Sequence, residues 1–329
     1  MANGPEGASA AGSVSAAAHS RAEPFGERLA SRVAERASQL VLGLDPDPAR
    51  LWPRAIELMG GAGNPPAPPP VRASLAVAIH CALAIEAVAA HCVAVKLQVA
   101  CFERLGAPGW AALSEVHDRA REHGLLVIAD AKRGDIDVSA AAYAQAFFGD
   151  TPTPFGPVGG LGSDALTVNP LLGTDSLTPF VNSARERGAG LFVLVRTSNP
   201  GAAVLQELAL AAGGSVSERI AALVTELGAP SVGAAGLADV GAVVGATAPD
   251  RLEQLRALMP AAVFLLPGVG AQGGRVEDLA AAFAPGPAGG LITASRGIVR
   301  AHERTGGDPA NAARAEAQRL QELAWSLST

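Results

Sequence analysis

The sequence predicts an α/β protein whose fold is a single (β/α)8 TIM barrel. Eight short apolar segments alternate with helix-forming segments along the chain, as repeated βα units require. The apolar segments are continuous rather than alternating, which is typical of parallel strands covered on both faces. Polar residues follow several of these segments, where a barrel of this class carries its active site. An open, doubly wound sheet is the alternative fold with the same alternation.

The predicted strands come in order as short apolar runs. They are LVLGLD (40–45), CVAVKL (92–97), LLVIAD (125–130), DALTVNP (164–170), LFVLVRT (191–197), VGAVVGAT (240–247), AVFLLPGV (262–269) and GGLITASRG (289–297). The predicted helices carry apolar residues at helical spacing. They cover about 25–39, 73–90, 109–124, 139–148, 175–188, 217–228, 248–259, 276–283 and 308–327.

The remaining segments are predicted to lie outside this pattern. Residues 1–22 are rich in Ala, Gly and Ser, with no apolar stretch of a secretory signal, and are expected to form a disordered tail. Residues 23–329 are expected to form one catalytic domain. Pro/Gly-rich segments near 60–70 and 150–162 are predicted loop insertions.

Composition narrows the class of function. The 329 residues carry a net charge of −6, which gives no basic surface for nucleic acid. No continuous apolar run approaches the ~18 residues of a membrane span, so no membrane partner is expected. Three cysteines lack metal or redox spacing and the histidines show no ligand pattern, so we expect a reduced, cytoplasmic protein without a metal site.

Lysine usage singles out two positions. The 25 basic residues are 23 arginines and two lysines, Lys96 and Lys132. Guanidinium can replace ammonium as a surface charge, but it cannot give up a proton near neutral pH. The two lysines are therefore candidates for chemistry.

Both lysines fall at predicted strand ends, on one rim of the barrel. The same rim receives Asp45, Asp130 and Arg296. Each could separately be an ordinary loop residue, and Asp45 could begin an Asx turn. The glycine-rich segment 267–274 follows the seventh strand, where barrels often bind phosphate. A phosphorylated substrate is therefore expected.

The spacing D-x-K-x-x-D places Asp130, Lys132 and Asp135 together, with Lys96 on the neighbouring strand. Alternating carboxylates and ammoniums stabilise one another's charged forms. Such a lysine stays protonated and can deliver a proton to a carbanion. A carboxylate beside it would repel an anionic group on the substrate until that group left. The pattern suggests expulsion of an anionic group followed by protonation of carbon.

These motifs resemble a known family. IADAKRGDI, with VAVKLQVACFE upstream and LLPGVGAQGG and ITASRGI downstream, is similar to orotidine 5′-phosphate decarboxylases, particularly the longer bacterial (type 2) subgroup with its TSNPG segment. The resemblance runs from about Phe25 to the last helix. It implies decarboxylation of orotidine 5′-monophosphate to UMP and CO2 in de novo pyrimidine biosynthesis, without cofactor or metal, by a homodimer with shared active sites.

The resemblance also implies a role for each matching residue. Lys132 would protonate C6, Asp130 would lie against the departing carboxylate, and Lys96 would bridge Asp130 and the ribose. Asp135 would reach the neighbouring subunit's site. The expected substrate-binding residues are Asp45 for the ribose, Ser198 for the pyrimidine, Gln272 and Arg296 for the phosphate, and Ser139 as a hydroxyl donor.

The sequence departs from the family pattern in three places. Asp137 stands where Gly is usual, Asp47 where His is common, and Leu97 where Pro is common. Two alternatives stay open at this point. One is a metal-dependent phosphosugar decarboxylase or formaldehyde-condensing synthase with the same D-x-K-x-x-D strand. The other is a catalytically silent nucleotide-binding barrel, for which Asp137 is the permissive feature. A Schiff-base aldolase fits less well, because a lysine flanked by carboxylates stays charged.

Overall fold

Eight parallel strands close into a barrel in a computed structural model that describes residues 23–60, 67–270 and 272–329. This confirms the predicted fold class, and all eight predicted strands are present. The strands are Leu40–Leu44 (β1), Ala94–Gln98 (β2), Leu126–Arg133 (β3), Asp150–Thr151 (β4), Val158–Gly159 (β5), Ala165–Val168 (β6), Gly190–Arg196 (β7), Val240–Val244 (β8), Phe264–Leu266 (β9) and Gly290–Ala294 (β10). The barrel runs β1-β10-β9-β8-β7-β6-β3-β2, and β4 and β5 form a separate antiparallel pair.

The helices surround this barrel. They are Phe25–Arg36 (α1), Pro53–Met59 (α2), Pro69–Val88 (α3), Val99–Glu103 (α4), Ala107–Glu122 (α5), Asp137–Phe147 (α6), Thr174–Glu186 (α7), Ala202–Gln206 (α8), Val216–Gly228 (α9), Pro249–Leu258 (α10), Arg296–Val299 (α11), His302–Thr305 (α12) and Pro309–Ser328 (α13). Short 3₁₀ segments follow or precede several of them.

The long helices lie within a few residues of their predicted bounds, with two kinds of difference. Residues Val276–Phe283, predicted as an ordinary helix, form a 3₁₀ helix. The short helices α2, α4, α8, α11 and α12 were not predicted, because four to seven residues hold too few turns for a periodic pattern to be recognised.

Alternate strand residues point into the barrel, and their character changes along its axis. Near the amino ends of the strands they are apolar, and a cluster containing Val41, Ile128 and Phe192 fills the interior. Helix α1 closes this end, where Phe25 meets Phe192 edge-to-face at 6.0 Å between ring centroids. Because the end of the barrel at the amino ends of the strands is filled, only the carboxyl ends of the strands are open to solvent, as barrel enzymes require.

The segments predicted to lie outside the barrel have different outcomes. Residues 1–22 lie outside the described residues, as do 61–66 of the predicted insertion near 60–70. Helix α3 already begins at Pro69. The insertion near 150–162 is not entirely loop, since it contains the β4–β5 hairpin.

One helix differs from the expectation that no segment is long and apolar enough to span a membrane. Residues Pro69–His91 have a mean hydropathy of 1.9 over their most apolar window, of which 61% is buried inside the protein. Helix α3 packs against α5, α13 and α2. Its apolar character is therefore explained by burial on several sides, as in the core helix of a barrel.

We expect Phe25→Ala to lower the free energy of unfolding by about 3–5 kcal/mol, because it opens a cavity beneath the barrel. Phe25 is 2% exposed. Phe155, which is 98% exposed, is the matched control, and Phe155→Ala should change stability by less than about 0.5 kcal/mol. Urea denaturation of both variants measures this difference. Equal stability of the two would contradict the role given to α1.

Candidate active site

Three charged side chains meet at the carboxyl ends of β2 and β3. Adjacent parallel strands place Gln98 of β2 beside Asp130 of β3. The Lys96 ammonium donates a hydrogen bond to Oδ2 of Asp130, and Lys132 Nζ donates to Oδ1 at 2.5 Å. The Asp130 and Lys96 side chains are only 8% and 9% exposed, whereas that of Lys132 is 43% exposed. One buried carboxylate is thus shared by two ammoniums, one of which faces open space.

Two opposing effects set the ionisation of Asp130. Burial by itself raises the pKa of a carboxyl group. The charges of Lys96 and Lys132, with their hydrogen bonds, outweigh burial and hold the pKa of Asp130 well below its usual range. Asp130 is therefore an anion throughout the physiological pH range.

The backbone of β3 is irregular where it carries these residues. Ala129 pairs with Leu166 of β6, but the next pairing joins Arg133 to Val168, so the pairing register shifts. Within this bulge Lys132 has φ of +50°, a left-handed conformation that is unfavourable for a long side chain. Bulges of this kind often re-aim side chains next to active sites.

Thr167 of β6 sits opposite the bulge. Its hydroxyl donates to Oδ1 of Asp130 at 2.9 Å and accepts the backbone N–H of Lys132 at 2.9 Å. Gly134 follows the bulge, where a Cβ would lie 2.9 Å from the carbonyl oxygen of Asn169. The glycine of the DAKRGD segment is therefore required for β3 and β6 to approach this closely.

A cavity of about 380 Å³ opens above these residues, within the ~300–1,000 Å³ typical of small-molecule sites. It brings together seven of the nine residues proposed from the sequence. These are Asp45, Lys96, Asp130, Lys132, Ser198, Gln272 and Arg296.

The glycine-rich segment forms the wall opposite β3. Gly268 has φ of +106°, and a Cβ there would lie 3.1 Å from Oε1 of Gln272 and 3.2 Å from Cβ of Ser198. Only glycine combines this backbone with such close neighbours. Arg296 begins α11 on the next strand-to-helix connection, and its guanidinium lines the same cavity as the Gln272 amide.

Ser198 is held in place by its surroundings. Its carbonyl accepts from Thr247 Oγ1 at 3.1 Å, and the preceding N–H of Thr197 donates to Gln206 Oε1 at 2.8 Å. Arg196, the last residue of β7, pairs with Glu207 at 2.9 Å and does not line the cavity. The TSNPG segment is therefore anchored by α8, a helix that the sequence did not reveal.

Asp135 and Ser139 do not line the cavity of their own chain. Oδ1 of Asp135 accepts only the neighbouring N–H of Ile136, at 2.8 Å, among the contacts described for it. Ser139 is exposed in the first turn of α6. Arg133, in contrast, is occupied within the chain: it pairs with Glu103 and lies over the rings of Tyr143 and Phe147.

Asp137, the main departure from the family pattern, has φ of +47° and is exposed. This conformation explains why glycine is usual there, and aspartate is among the residues that tolerate it best. Asp137 is also the first residue of α6, where a negative charge is favourable.

Several cavity residues were missed from the sequence, among them Gln98, Thr167, Asn199 and Thr293. A signal existed for two of them. Thr167 and Thr293 are hydroxyl residues within otherwise apolar strands, at positions that point into the barrel. Period-two reading of the predicted strands would have found them.

The fold and this site define a (β/α)8 barrel enzyme whose cavity carries a lysine–aspartate pair at the carboxyl ends of the strands. The comparisons with known proteins agree. The profile of the "Orotidine 5′-phosphate decarboxylase / HUMPS family" matches residues 38–315. The chain belongs to this family, which confirms the resemblance seen in the sequence.

Individual relatives support the same assignment. The chain is similar to orotidine 5′-phosphate decarboxylase of Rhodopirellula baltica, with 48% identity over 68% of this chain and 73% of the relative. The Deinococcus radiodurans enzyme of the same name is 43% identical over 83% of this chain and 88% of the relative. A crystal structure from Streptomyces avermitilis, assigned to the same activity, superposes with a TM-score of 0.73 and 35% identity, over 94% of this chain and 97% of that one.

We expect Asp137→Gly to leave the free energy of unfolding equal or higher, and Asp137→Ala to lie below Asp137→Gly by about 1 kcal/mol, because alanine is strained in the left-handed region. The matched control is Asp175 in the first turn of α7, which has no positive φ. There Asp175→Gly should be less stable than Asp175→Ala, by about 0.5–1 kcal/mol. Urea denaturation of the four variants measures these differences in the free energy of unfolding. If the glycine and alanine variants had the same order of stability at both positions, this account of Asp137 would be wrong.

Proposed function

We propose that the protein decarboxylates orotidine 5′-monophosphate to UMP and CO2 in pyrimidine biosynthesis, with residues 23–329 as its catalytic domain. The observation that carries this proposal is the buried Asp130 carboxylate between two ammoniums, with Lys132 turned toward the cavity. The names of the relatives at 43–48% identity support it.

The cavity's charges suit this substrate. Its lining carries three cations, Lys96, Lys132 and Arg296, and two anions, Asp45 and Asp130. Orotidine 5′-monophosphate has a phosphate at one end and a carboxylate on its ring. We place the phosphate at Gln272 and Arg296 and the ring carboxylate near Lys132 and Asp130. Asp45 and Lys96 then face the ribose, and Ser198 the pyrimidine.

In the proposed reaction the bond between C6 and the carboxylate breaks, and its electron pair stays on C6. Lys132 then transfers a proton from Nζ to C6, which forms UMP, and solvent restores the proton. Asp130 lies beside Lys132 as a fixed anion, so it disfavours the substrate carboxylate more than the neutral CO2 that leaves. Phosphate binding at the far wall can supply the energy that holds these like charges together.

We propose that the functional unit is a homodimer that shares its sites. Three observations support this. Asp135 does not reach its own cavity, although it belongs to the charged motif. Ile136 and Val138, which follow it in the chain, are 48% and 82% exposed, and Leu171, which lies beyond β6, is 77% exposed. Exposed apolar side chains near a carboxylate that lies outside the cavity are typical of a contact surface.

We propose that the reaction needs no cofactor or metal and occurs in the cytoplasm. Cys81, Cys92 and Cys101 are unpaired, as in reducing compartments. Among the described residues no group of three or more His, Cys, Asp or Glu side chains is placed to hold a metal ion. The name of the matching family also includes HUMPS proteins. Because the sequence left a metal-dependent enzyme open as an alternative, the activity assay includes a chelator.

We expect the purified protein to consume orotidine 5′-monophosphate, measured as loss of orotidylate absorbance, at a rate that EDTA does not change. Lys132→Arg should lower kcat by about 10²–10⁴-fold, because guanidinium keeps the charge but does not give up its proton. UMP binding and thermal unfolding of the variant control for folding. Near-normal turnover by Lys132→Arg would disprove the role of Lys132, and loss of activity in EDTA would favour the metal-dependent alternative.

We expect a mixture of two inactive variants, Lys132→Ala and Asp135→Ala, to regain activity if sites are shared. In a mixed dimer one of the two sites receives both wild-type residues, so random mixing should restore up to about a quarter of wild-type activity. Each variant alone is the control. Absence of recovery, with mixed dimers confirmed by mass spectrometry, would contradict shared sites.

A further inference from the structure

The hydroxyl of Thr167 lies where two features of the site meet. It is the point at which β6 touches both the Asp130 carboxylate and the backbone of Lys132, and Thr167 is 1% exposed. Both hydrogen bonds measure 2.9 Å. The hydroxyl donates its single proton to Asp130 and accepts the Lys132 N–H, so it is a donor to one residue of the pair and an acceptor from the other.

The bulge explains why such a group is needed. Between the Ala129 and Arg133 pairings, β3 has two more residues than β6 has between Leu166 and Val168. In a regular ladder the N–H of Lys132 would bond to a carbonyl of the neighbouring strand. In the bulge it bonds instead to the Thr167 side chain. The hydroxyl thus replaces a backbone partner, and a buried N–H left without one is costly.

The contact with Thr167 is made at a residue that has an unusual backbone conformation. Lys132 has φ of +50°, a conformation that persists in a non-glycine residue only when its surroundings enforce it. The neighbouring pairings fix the bulge from both sides, and the Thr167 hydroxyl fixes its centre. With this backbone, Lys132 Nζ lies 2.5 Å from Asp130 Oδ1, the same oxygen to which Thr167 donates.

We infer that Thr167 is a positioning residue for the decarboxylation: its hydroxyl sets the backbone of Lys132 and the orientation of Asp130, and so aims the proton donor at the reacting carbon. This inference rests on the proposed function. Thr167 acts through Lys132 and Asp130, so its removal should impair the chemical step more than the binding of nucleotide.

Two pairs of side chains at position 167 test this role, each differing mainly in the hydroxyl. Thr167→Val keeps the shape of threonine but lacks the hydroxyl. In the same way, Thr167→Ala lacks the hydroxyl that Thr167→Ser retains. We expect Thr167→Val and Thr167→Ala to lower kcat by about 10²-fold, since misplacement of a catalytic group by about 1 Å costs this much. KM and the dissociation constant for UMP should stay within about threefold of wild type, because the lost interaction acts in the transition state.

Thr167→Ser should recover kcat to within about threefold of wild type, because it restores both hydrogen bonds. If Thr167→Val does not fold, the alanine and serine variants still isolate the hydroxyl. Thr225→Val is the matched control, because Thr225 also uses its hydroxyl in a hydrogen bond, to the Leu258 carbonyl at 2.8 Å, outside the site. Its kcat should equal that of wild type.

Three results would overturn the inference: wild-type kcat in Thr167→Val, equal kcat in the serine and alanine variants, or a parallel loss of kcat and UMP affinity. Failure of the proposed function has a different signature. The wild-type protein would then fail to consume orotidine 5′-monophosphate, which would overturn the inference as well.

Discussion

A buried carboxylate with two ammonium partners is the interaction on which the site depends. Asp130 is almost fully removed from solvent, and an isolated charge in that position would be too costly to maintain. Lys96 supplies a buried partner from the neighbouring strand, while Lys132 supplies a partner that remains open to the cavity. In the proposed reaction, the Asp130 charge that pairs with Lys132 is also the charge that the substrate carboxylate would meet.

The barrel makes this arrangement possible by separating two environments along one axis. Apolar side chains and helix α1 fill the end of the barrel at the amino ends of the strands, below the polar residues of the site. A site on rigid strands keeps its groups within the small tolerances that catalysis needs. Two strand pairings are irregular, β7 with β8 between Leu194 and Arg196 and β3 with β6 between Ala129 and Arg133, and the second irregularity carries Lys132. Within the barrel strands, the left-handed backbone of a non-glycine residue falls at Lys132, among the residues that the structure describes.

The chain by itself leaves one part of the charged motif unused. Asp135 lies beyond the bulge, and Asp137 follows it in a left-handed conformation that starts α6 on an exposed, partly apolar surface. Asp137 does not line the cavity. Within this chain, the departure from the family pattern therefore affects the backbone conformation at the start of α6 and not the composition of the cavity. It gives no reason to expect a silent site. In the proposed homodimer, this exposed surface would face the second subunit.

The sequence by itself determined the eight strands and most helices, because burial on both faces gives continuous apolar runs. It also determined the candidate lysines, because arginine can replace lysine as a surface charge but not as a proton donor. It also indicated Asp45 and Arg296 from their places after strands, and Gln272 through the family resemblance. Only the tertiary structure decided how β3 bulges, that Thr167 bonds both Asp130 and Lys132, and that Asp137 needs a left-handed backbone. These features depend on contacts between residues distant in sequence, and local periodicity carries no record of such contacts.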